Sequence, residues 1–172
     1  MNAPAVNFEC RISEGIDGVK ETLTIMRRVV RAYKKSPELI ALAHIITNFV
    51  PFKNVKQEAI ALFNYVRSNI RYVMDPVDVE LVMTPDRLIE MGSGDCDDMA
   101  TLLATLLECI GIRSRFVAVG FTPGELSHVY VEGLIGDYAE TADGWYALDV
   151  TEPNPPGWKP SGVKNLFRVH NS

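Results

Sequence analysis

Three residues of the types used in thiol catalysis are spread across the second half of the chain. Cys96 follows a glycine-containing loop, residues 92–95, and precedes a long apolar run. This pattern predicts a loop that places a thiol on the first turn of a buried helix. His128 and Asp149 lie in segments with period-two apolar residues, which predicts two strands. A thiol nucleophile, an imidazole base and a carboxylate that orients the imidazole form a known catalytic arrangement.

The predicted position of Cys96 at a helix start favours its thiolate. Unpaired backbone N–H groups and the positive end of the helix dipole stabilise negative charge there, and they could also hold an oxyanion. Asp95 is the natural N-cap. Asp95, Asp97 and Asp98 work against the thiolate, because their negative charge should raise the pKa of the thiol. We therefore expect the imidazolium of His128 close by to offset them.

A simple hairpin predicts that His128 and Asp149 lie opposite each other. Gly133 and Gly144 bound the segment between the two strands, and pairing these glycines brings residue 128 opposite residue 149. Directly opposed side chains share a face of the sheet, with Cβ atoms about 4.5–5.5 Å apart. If that face packs on the buried helix, His128 can reach Cys96.

Other interpretations of these residues stay open at this point. A cysteine at a helix start, a strand histidine and an aspartate after an aromatic region also occur together without catalysis. A metal site built from Cys96, His128 and an aspartate would lack paired-ligand spacing, so no metal and no cofactor are expected. The remaining titratable residues of interest are interpreted as packing or solvated groups: Cys10, Cys109, His44 and His170.

Composition and charge limit the classes of function. The chain has 172 residues and a net charge of −5, which suits one domain and argues against nucleic-acid binding. No apolar run reaches the roughly 18 residues of a membrane span, and the first residues do not resemble a secretory signal. Three widely spaced cysteines form no disulfide framework. The sequence therefore predicts a cytoplasmic protein, or a virion-associated one if it is phage-encoded.

Periodicity predicts an α+β fold with helices before strands. Predicted helices span 17–35, 36 to just before Pro51, 56–72, 84 to about 92, and the apolar run that ends at Gly111. Strands are predicted at 5–12, 116–121, 128–132 and 145–150, with a further short strand at 167–169. The last three long strands follow one another closely, so an antiparallel meander is expected.

The same blocks resemble the transglutaminase-like superfamily. Residues 94–98 with the following apolar run, residues 127–132 and residues 144–149 look like its Cys, His and Asp blocks, in the same chain order. Residues 70–75 and 84–86 resemble the lead-in of bacterial and phage members. The similarity covers about residues 60–155 of a single domain, 1–172. A helical N-terminal extension, 1–55, and a proline-rich tail, 151–172, carry no such signal.

The resemblance implies a papain-like core, in which a buried central helix packs on a small antiparallel sheet. It implies that Cys96 is the nucleophile, His128 the general base and then acid, and Asp149 the orienting carboxylate. The implied activity is acyl transfer from amide bonds of a peptide or protein through a thioester, as in a peptidase or amidase. The alternatives are a non-catalytic binding or assembly module, for instance in a phage particle, and a cross-linking transglutaminase. Calcium dependence is not carried over.

Two further details of the implied site can be suggested only from the position and charge of residues in the sequence. The side chain that completes the oxyanion hole is unassigned, and Tyr72 is a candidate by position, although it could equally pack the end of a helix. Specificity is expected in the loops at 75–83, 122–127 and 133–144. The acidic stretches 75–80 and 136–140 favour a basic or neutral substrate over an acidic one.

Overall fold

A computed structural model describes residues 15–51, 53–74, 82–136 and 141–172. Within these ranges the helices are α1 Gly15–Tyr33, α2 Pro37–Thr47, α3 Val55–Asn69, α4 Pro85–Met91 and α5 Cys96–Cys109. The strands are β1 Arg71–Tyr72, β2 Ser93–Gly94, β3 Ser114–Gly120, β4 His128–Leu134, β5 Trp145–Leu148 and β6 Asn165–His170. The predicted α+β class is confirmed. The predicted strand at 5–12, with Cys10, lies outside the described residues.

The helix boundaries follow local start and stop signals. Ser36 caps α2 by accepting a hydrogen bond from the backbone N–H of Leu39, and Pro37 is the first helical residue. At the end of α4, Gly92 adopts a φ of 65°, a left-handed conformation that glycine enters without steric cost. These predicted boundaries are confirmed.

One helix is shorter than its periodicity predicts. The third helix was expected to continue to Tyr72, but α3 ends at Asn69. The next residues pair in parallel with β2 instead, where the N–H of Arg71 donates to the carbonyl of Gly92 at 2.9 Å. A tertiary pairing thus outcompetes the local helical preference, and it brings Tyr72 opposite Gly94.

Helix α5 lies at the centre of the fold. It packs against helices α1 to α4 and against strands β3 and β4. Even its polar residues Thr101 and Thr105 are fully buried, and the hydroxyl of Thr105 donates to the carbonyl of Thr101 at 2.7 Å. Near its end, Glu108 pairs with Lys34 at 3.0 Å and accepts a bond from the N–H of Ser114 at 2.8 Å. The prediction of a buried central helix is confirmed.

The four-stranded sheet has the order β5-β4-β3-β6, with antiparallel neighbours throughout. The predicted meander corresponds to β3, β4 and β5, and the chain then returns to add β6 beside β3. One face of the sheet packs into the main core with α5 through Phe116, Ala118, Val129, Val131 and Leu148. The opposite face carries a smaller apolar cluster: Val117, Val119, Tyr130 and Ala147.

The proline-rich segment between β5 and β6 runs over the surface, as predicted, but it forms bends and a turn at residues 156–157 and does not take the extended form expected. The guanidinium of Arg67 donates to the carbonyl of Asn154 at 2.7 Å, and the hydroxyl of Tyr146 donates to that of Pro156 at 2.9 Å. These bonds fasten the segment to α3 and β5. In the part of the chain that is described, no helix is long and apolar enough to cross a membrane.

Candidate functional site

Cys96 is the first residue of α5, as the sequence predicts. The carboxylate of Asp95 caps the helix by accepting the N–H groups of Asp97 at 3.0 Å and Asp98 at 3.1 Å. Asp98 returns the contact by accepting the N–H of Asp95 at 3.4 Å, which completes a capping box. Two of the three aspartates around the thiol therefore hold the helix start in place.

Asp98 also ties the helix start to the preceding loop. Its side chain is almost fully buried, and it accepts the N–H of Met83 at 2.7 Å. Gly94 packs directly against this carboxylate. A Cβ at Gly94 would lie 2.7 Å from the Leu88 side chain and 2.8 Å from an oxygen of Asp98, so any larger residue would displace the capping box.

The thiol of Cys96 is mostly buried, and its pKa is raised well above the ordinary cysteine value. Desolvation is the largest cause, followed by the negative charges of Asp97 and Asp95. The sulfur lies 3.7 Å from a carboxylate oxygen of Asp97. A hydrogen bond from the backbone of Val129 acts in the opposite direction and lowers the pKa. Burial and the two carboxylates thus favour the neutral thiol over the thiolate.

The second part of the site is a short contact between His128 and Asp149. The Nε2 atom of the imidazole lies 2.7 Å from Oδ2 of the carboxylate, and the two side chains are 16% and 3% exposed. The other carboxylate oxygen accepts two bonds from Thr151, from its N–H at 3.2 Å and its hydroxyl at 2.8 Å. Thr151 was not recognised from the sequence, although Asp followed two residues later by Thr is the spacing of an Asx turn.

The predicted hairpin register is wrong by two residues. Gly133 pairs with Tyr146 inside the ladder, not with Gly144. The turn is bounded instead by Gly136 and Gly144, whose φ angles are 70° and 73°, and the N–H of Ile135 donates to the carbonyl of Gly144 at 3.0 Å. A shift of two residues keeps every side chain on its predicted face, because strand side chains alternate with period two.

The sheet face that carries His128 was expected to pack on the central helix, but it does not. Val129 and Val131 are the β4 residues that pack with α5, whereas His128 shares the opposite face with Tyr130, whose ring stacks on it at a centroid distance of 6.4 Å. His128 nevertheless lines the same pocket as Cys96. It can do so because it is the first residue of β4, where the strand meets the start of α5 and Val129 contacts the sulfur.

The pocket shared by Cys96 and His128 has a volume of about 150 Å³. Leu126 and Ser127 line it, in agreement with the expectation that the loop at 122–127 contributes. Its remaining wall comes from α1, whose sequence pattern indicates only an amphipathic helix. The proline-rich segment does not line this pocket. Most of the loop at 75–83 and the tip of the loop at 133–144 lie outside the described residues, as do the acidic stretches 75–80 and 137–140.

Tyr72 lies near the thiol by virtue of the β1–β2 pairing. Its side chain is 45% exposed, and burial of the hydroxyl and the charges of Cys96 and Asp95 raise the pKa of the phenol. The phenol therefore stays protonated and can donate a hydrogen bond. The structure thus places Tyr72 near Cys96, although Tyr72 does not line the pocket.

The other residues considered from the sequence lie elsewhere. His44 is exposed on α2, and His170 is exposed on β6 with an edge contact to Trp145 at 5.2 Å. Cys109 is half-buried against the core and points to the carbonyl of Lys34 at 3.6 Å. Among the described residues, no group of three or more His, Cys, Asp or Glu side chains could hold a metal ion.

Solved structures of similar fold come from several bacteria. A predicted protease from Parabacteroides distasonis aligns over 99% of this chain with 16% identity and a TM-score of 0.63. A predicted cysteine protease from Cytophaga hutchinsonii aligns over 80% with 18% identity and a TM-score of 0.53. Calcium-bound LapG from Legionella pneumophila aligns over 83% with 17% identity and a TM-score of 0.52.

These proteins differ from this chain in length. The chain spans 35% of the Parabacteroides protein, 52% of the Cytophaga protein and 80% of LapG. No curated protein matches the sequence. The family model for the transglutaminase-like superfamily matches residues 43–150, which is more than half of the chain and contains Cys96, His128 and Asp149. The chain therefore belongs to the transglutaminase-like superfamily.

Proposed function

We propose that this protein is a cysteine-dependent acyl-transfer enzyme that cleaves amide bonds in a peptide or protein, as a peptidase or amidase. The observation that carries the proposal is the 2.7 Å contact between His128 and Asp149 beside a pocket that Cys96 also lines. An oriented imidazole next to a thiol at a helix start has the parts that nucleophilic catalysis needs. The predicted proteases of similar fold support the same class of activity.

The proposed reaction begins with proton transfer from Cys96 to His128. Because Nε2 is held by Asp149, Nδ1 is the ring nitrogen that accepts the proton. The sulfur then attacks the amide carbonyl carbon, and the carbonyl electrons move onto oxygen. The backbone N–H of Cys96 at the start of α5 and the hydroxyl of Tyr72 are the proposed donors to this oxyanion.

The second half of the reaction regenerates the thiol. The imidazolium of His128 donates its proton to the leaving amine as the C–N bond breaks, which leaves a thioester on Cys96. Water then attacks the thioester, and His128 accepts a proton from this water molecule. Loss of the thiolate, which takes the proton back from His128, releases the carboxylic acid. Asp149 stabilises the imidazolium in both halves without becoming protonated.

The environment of the Cys96 thiol determines the step of the reaction at which the thiolate forms. Burial and Asp97 keep the resting thiol neutral, so the proton leaves sulfur as the substrate binds and is attacked. Such an enzyme depends on general-base help more than one with a preformed thiolate. His128 should therefore be indispensable, whereas an unassisted reaction of the thiol should be slow at neutral pH.

Alkylation kinetics and hydrolysis together test the proposal. Mass spectrometry after incubation with iodoacetamide should show faster modification of Cys96 than of Cys10 or Cys109, and His128→Ala should slow it. His170→Ala is the matched control, since this exposed histidine lies on another strand. Peptide p-nitrophenyl esters supply activated acyl groups, and their turnover should vanish in Cys96→Ala. Equal alkylation rates at all three cysteines, together with no turnover, would contradict the proposal.

The pocket beside Cys96 supports an enzyme over the alternative of a non-catalytic binding or assembly module. A pure assembly module would need no cavity at the thiol. Cross-linking needs a site for an acceptor amine, so hydrolysis that proceeds without incorporation of an added primary amine into the acyl product would exclude it.

A further inference from the structure

We propose that helix α1 forms a specificity wall, so that the enzyme selects acyl groups with one apolar side chain of leucine or phenylalanine size next to the attacked carbonyl. This inference rests on the proposed function, since it names the substrate class of the same site. It begins from the pocket that Cys96 and His128 share, because α1 contributes residues to it that lie at least 70 positions from Cys96 in sequence.

The pocket lining is mixed: Thr22, Asp95, Asp97, Ser127 and His128 are polar, and most of the apolar residues come from α1. Val19, Leu23 and Met26 of α1 lie on one side, and Leu126 lies on another. Their spacing along α1, three or four residues apart, places the α1 residues in one stripe. Val19 and Leu126 are the part-exposed apolar residues of the lining. A ligand group that packs on them must give up its water, which an aliphatic or aromatic side chain does at a gain and a charged one at a cost.

The size of the pocket limits the side chain to one residue. A cavity of about 150 Å³ is of the size that holds a benzene molecule in a protein core. A leucine or phenylalanine side chain therefore fills it, whereas alanine leaves most of it empty. At the end near the thiol, the carboxylate of Asp97 repels an acidic side chain.

The wall is held rigidly by the core. Leu23 and Met26 are almost fully buried and belong to the main apolar cluster. Helix α1 packs against both α5 and β6, and Arg31 near its end donates to the carbonyl of Asn171 at 2.9 Å. A pocket built this way keeps its shape without substrate, which is what selection by size requires.

Helix α1 also lies outside the region that defines the superfamily. The family model begins at residue 43, whereas α1 ends at Tyr33. The wall therefore comes from a helix that precedes the Cys, His and Asp blocks in sequence.

Labelling of Cys96 by peptidyl chloromethyl ketones tests the wall directly. Two series are used, in which alanine, leucine, phenylalanine or aspartate occupies either the residue that bears the ketone or the one before it. In one series we expect leucine or phenylalanine reagents to label about tenfold faster than alanine, and aspartate to be slowest. Val19→Phe, which fills the pocket from α1, should remove this preference.

Two further variants keep the test decisive. Leu126→Phe fills the pocket from another side and should have the same effect as Val19→Phe. Ile25→Phe is the matched control, because Ile25 is half-buried on α1 but does not line the pocket, so it should retain the preference. A thermal melt of each variant confirms folding.

Iodoacetamide carries no amino-acid side chain. It therefore distinguishes failure of the specificity wall from failure of the proposed function. If iodoacetamide reacts with Cys96 in a His128-dependent way but neither ketone series discriminates, or the preference survives both filling variants, the specificity wall is wrong and the enzyme class stands. If iodoacetamide modification of Cys96 is independent of His128, the proposed function itself fails.

Discussion

Asp149 contacts His128 diagonally across the hairpin, from the residue that follows the end of β5. The last ladder pair before this contact joins Val131 to Leu148, yet Nε2 of the imidazole and Oδ2 of the carboxylate lie 2.7 Å apart. Thr151 holds the other carboxylate oxygen through two hydrogen bonds. The carboxylate is thus fixed from both sides, and its role in the proposed mechanism can be tested without disturbing the strands.

Asp149→Asn should lower kcat for ester or peptide hydrolysis by about 10- to 100-fold. The amide preserves the shape and can still accept from the imidazole, but the imidazolium loses the charge that stabilises it, and each pKa unit lost is about tenfold in its population. Asp143→Asn, on the same hairpin but 55% exposed and paired with Arg115, is the control. A steady-state assay that shows equal kcat for both variants would contradict the assignment.

Asp97→Asn should make Cys96 more reactive. Asp97 is the largest source of the raised thiol pKa after burial, so removal of its charge lowers the pKa and increases the thiolate fraction at pH 7. A lower pKa also weakens the nucleophile, and the net gain is about threefold per pKa unit. Iodoacetamide kinetics between pH 6 and 9 measure it, and the rate should begin to rise at lower pH in the variant. Asp86→Asn on the exposed side of α4 should leave the profile unchanged.

Tyr72→Phe should reduce kcat by about 10- to 100-fold with little change in KM. The phenol is proposed to donate to an oxyanion that exists only after attack, so its loss affects the transition state more than substrate binding. Tyr65→Phe, a half-buried tyrosine on α3, is the control for the loss of a hydroxyl. A large rise in KM with unchanged kcat would instead show that Tyr72 only contacts the bound substrate.

Gly94→Ala should destabilise the fold by about 1–3 kcal/mol, because its Cβ would overlap Leu88 and the buried carboxylate of Asp98. The free energy of unfolding from urea titrations measures the effect. Gly133→Ala is the matched control, since a Cβ there finds ordinary contacts of 3.5 Å or more. An equal loss in both variants would show that the close packing at Gly94 is not the cause.

Glu132→Gln should lower the free energy of unfolding by about 3–5 kcal/mol. The Glu132 carboxylate is fully buried and lies 2.7 Å from Nε of Arg115, 3.1 Å from Lys159 and 3.8 Å from Arg168. The neutral amide would leave the buried guanidinium of Arg115 with only the exposed carboxylate of Asp143 as a counter-charge. Glu90→Gln in the exposed pair with Arg87 should cost less than about 1 kcal/mol. Urea titrations that give similar losses for the two variants would show that Glu132 is not a structural ion-pair centre.

Local signals in the sequence determined where several elements begin and end. Asp95 followed by Cys96 and Asp98 predicts a capped helix start, and the structure has the same residue as the first of α5. The period-two segments after Gly111 predicted the meander and the shared face of His128 and Asp149. These features depend on residues close together in the chain, so their patterns can be read without knowing the fold.

The tertiary structure decided which of those elements meet. The sequence predicts that Gly133 is a turn residue, but Gly133 lies inside β4. The turn that closes the hairpin uses left-handed conformations at Gly136 and Gly144 instead. The sequence predicts residues 71 and 72 to be helical, but they pair with β2. In both cases, hydrogen bonds to a distant or alternative partner stabilise the structure more than the local conformational preference of these residues does.

The residues 96, 128 and 149 and the order of their blocks were thus determined by the sequence alone. Only the packed structure showed that His128 approaches the thiol from the end of a strand, that Thr151 secures Asp149, and that α1 walls the pocket. The physical reason is that an amphipathic pattern states which face of α1 is buried but not what it is buried against. That choice is made by the shape of the whole core.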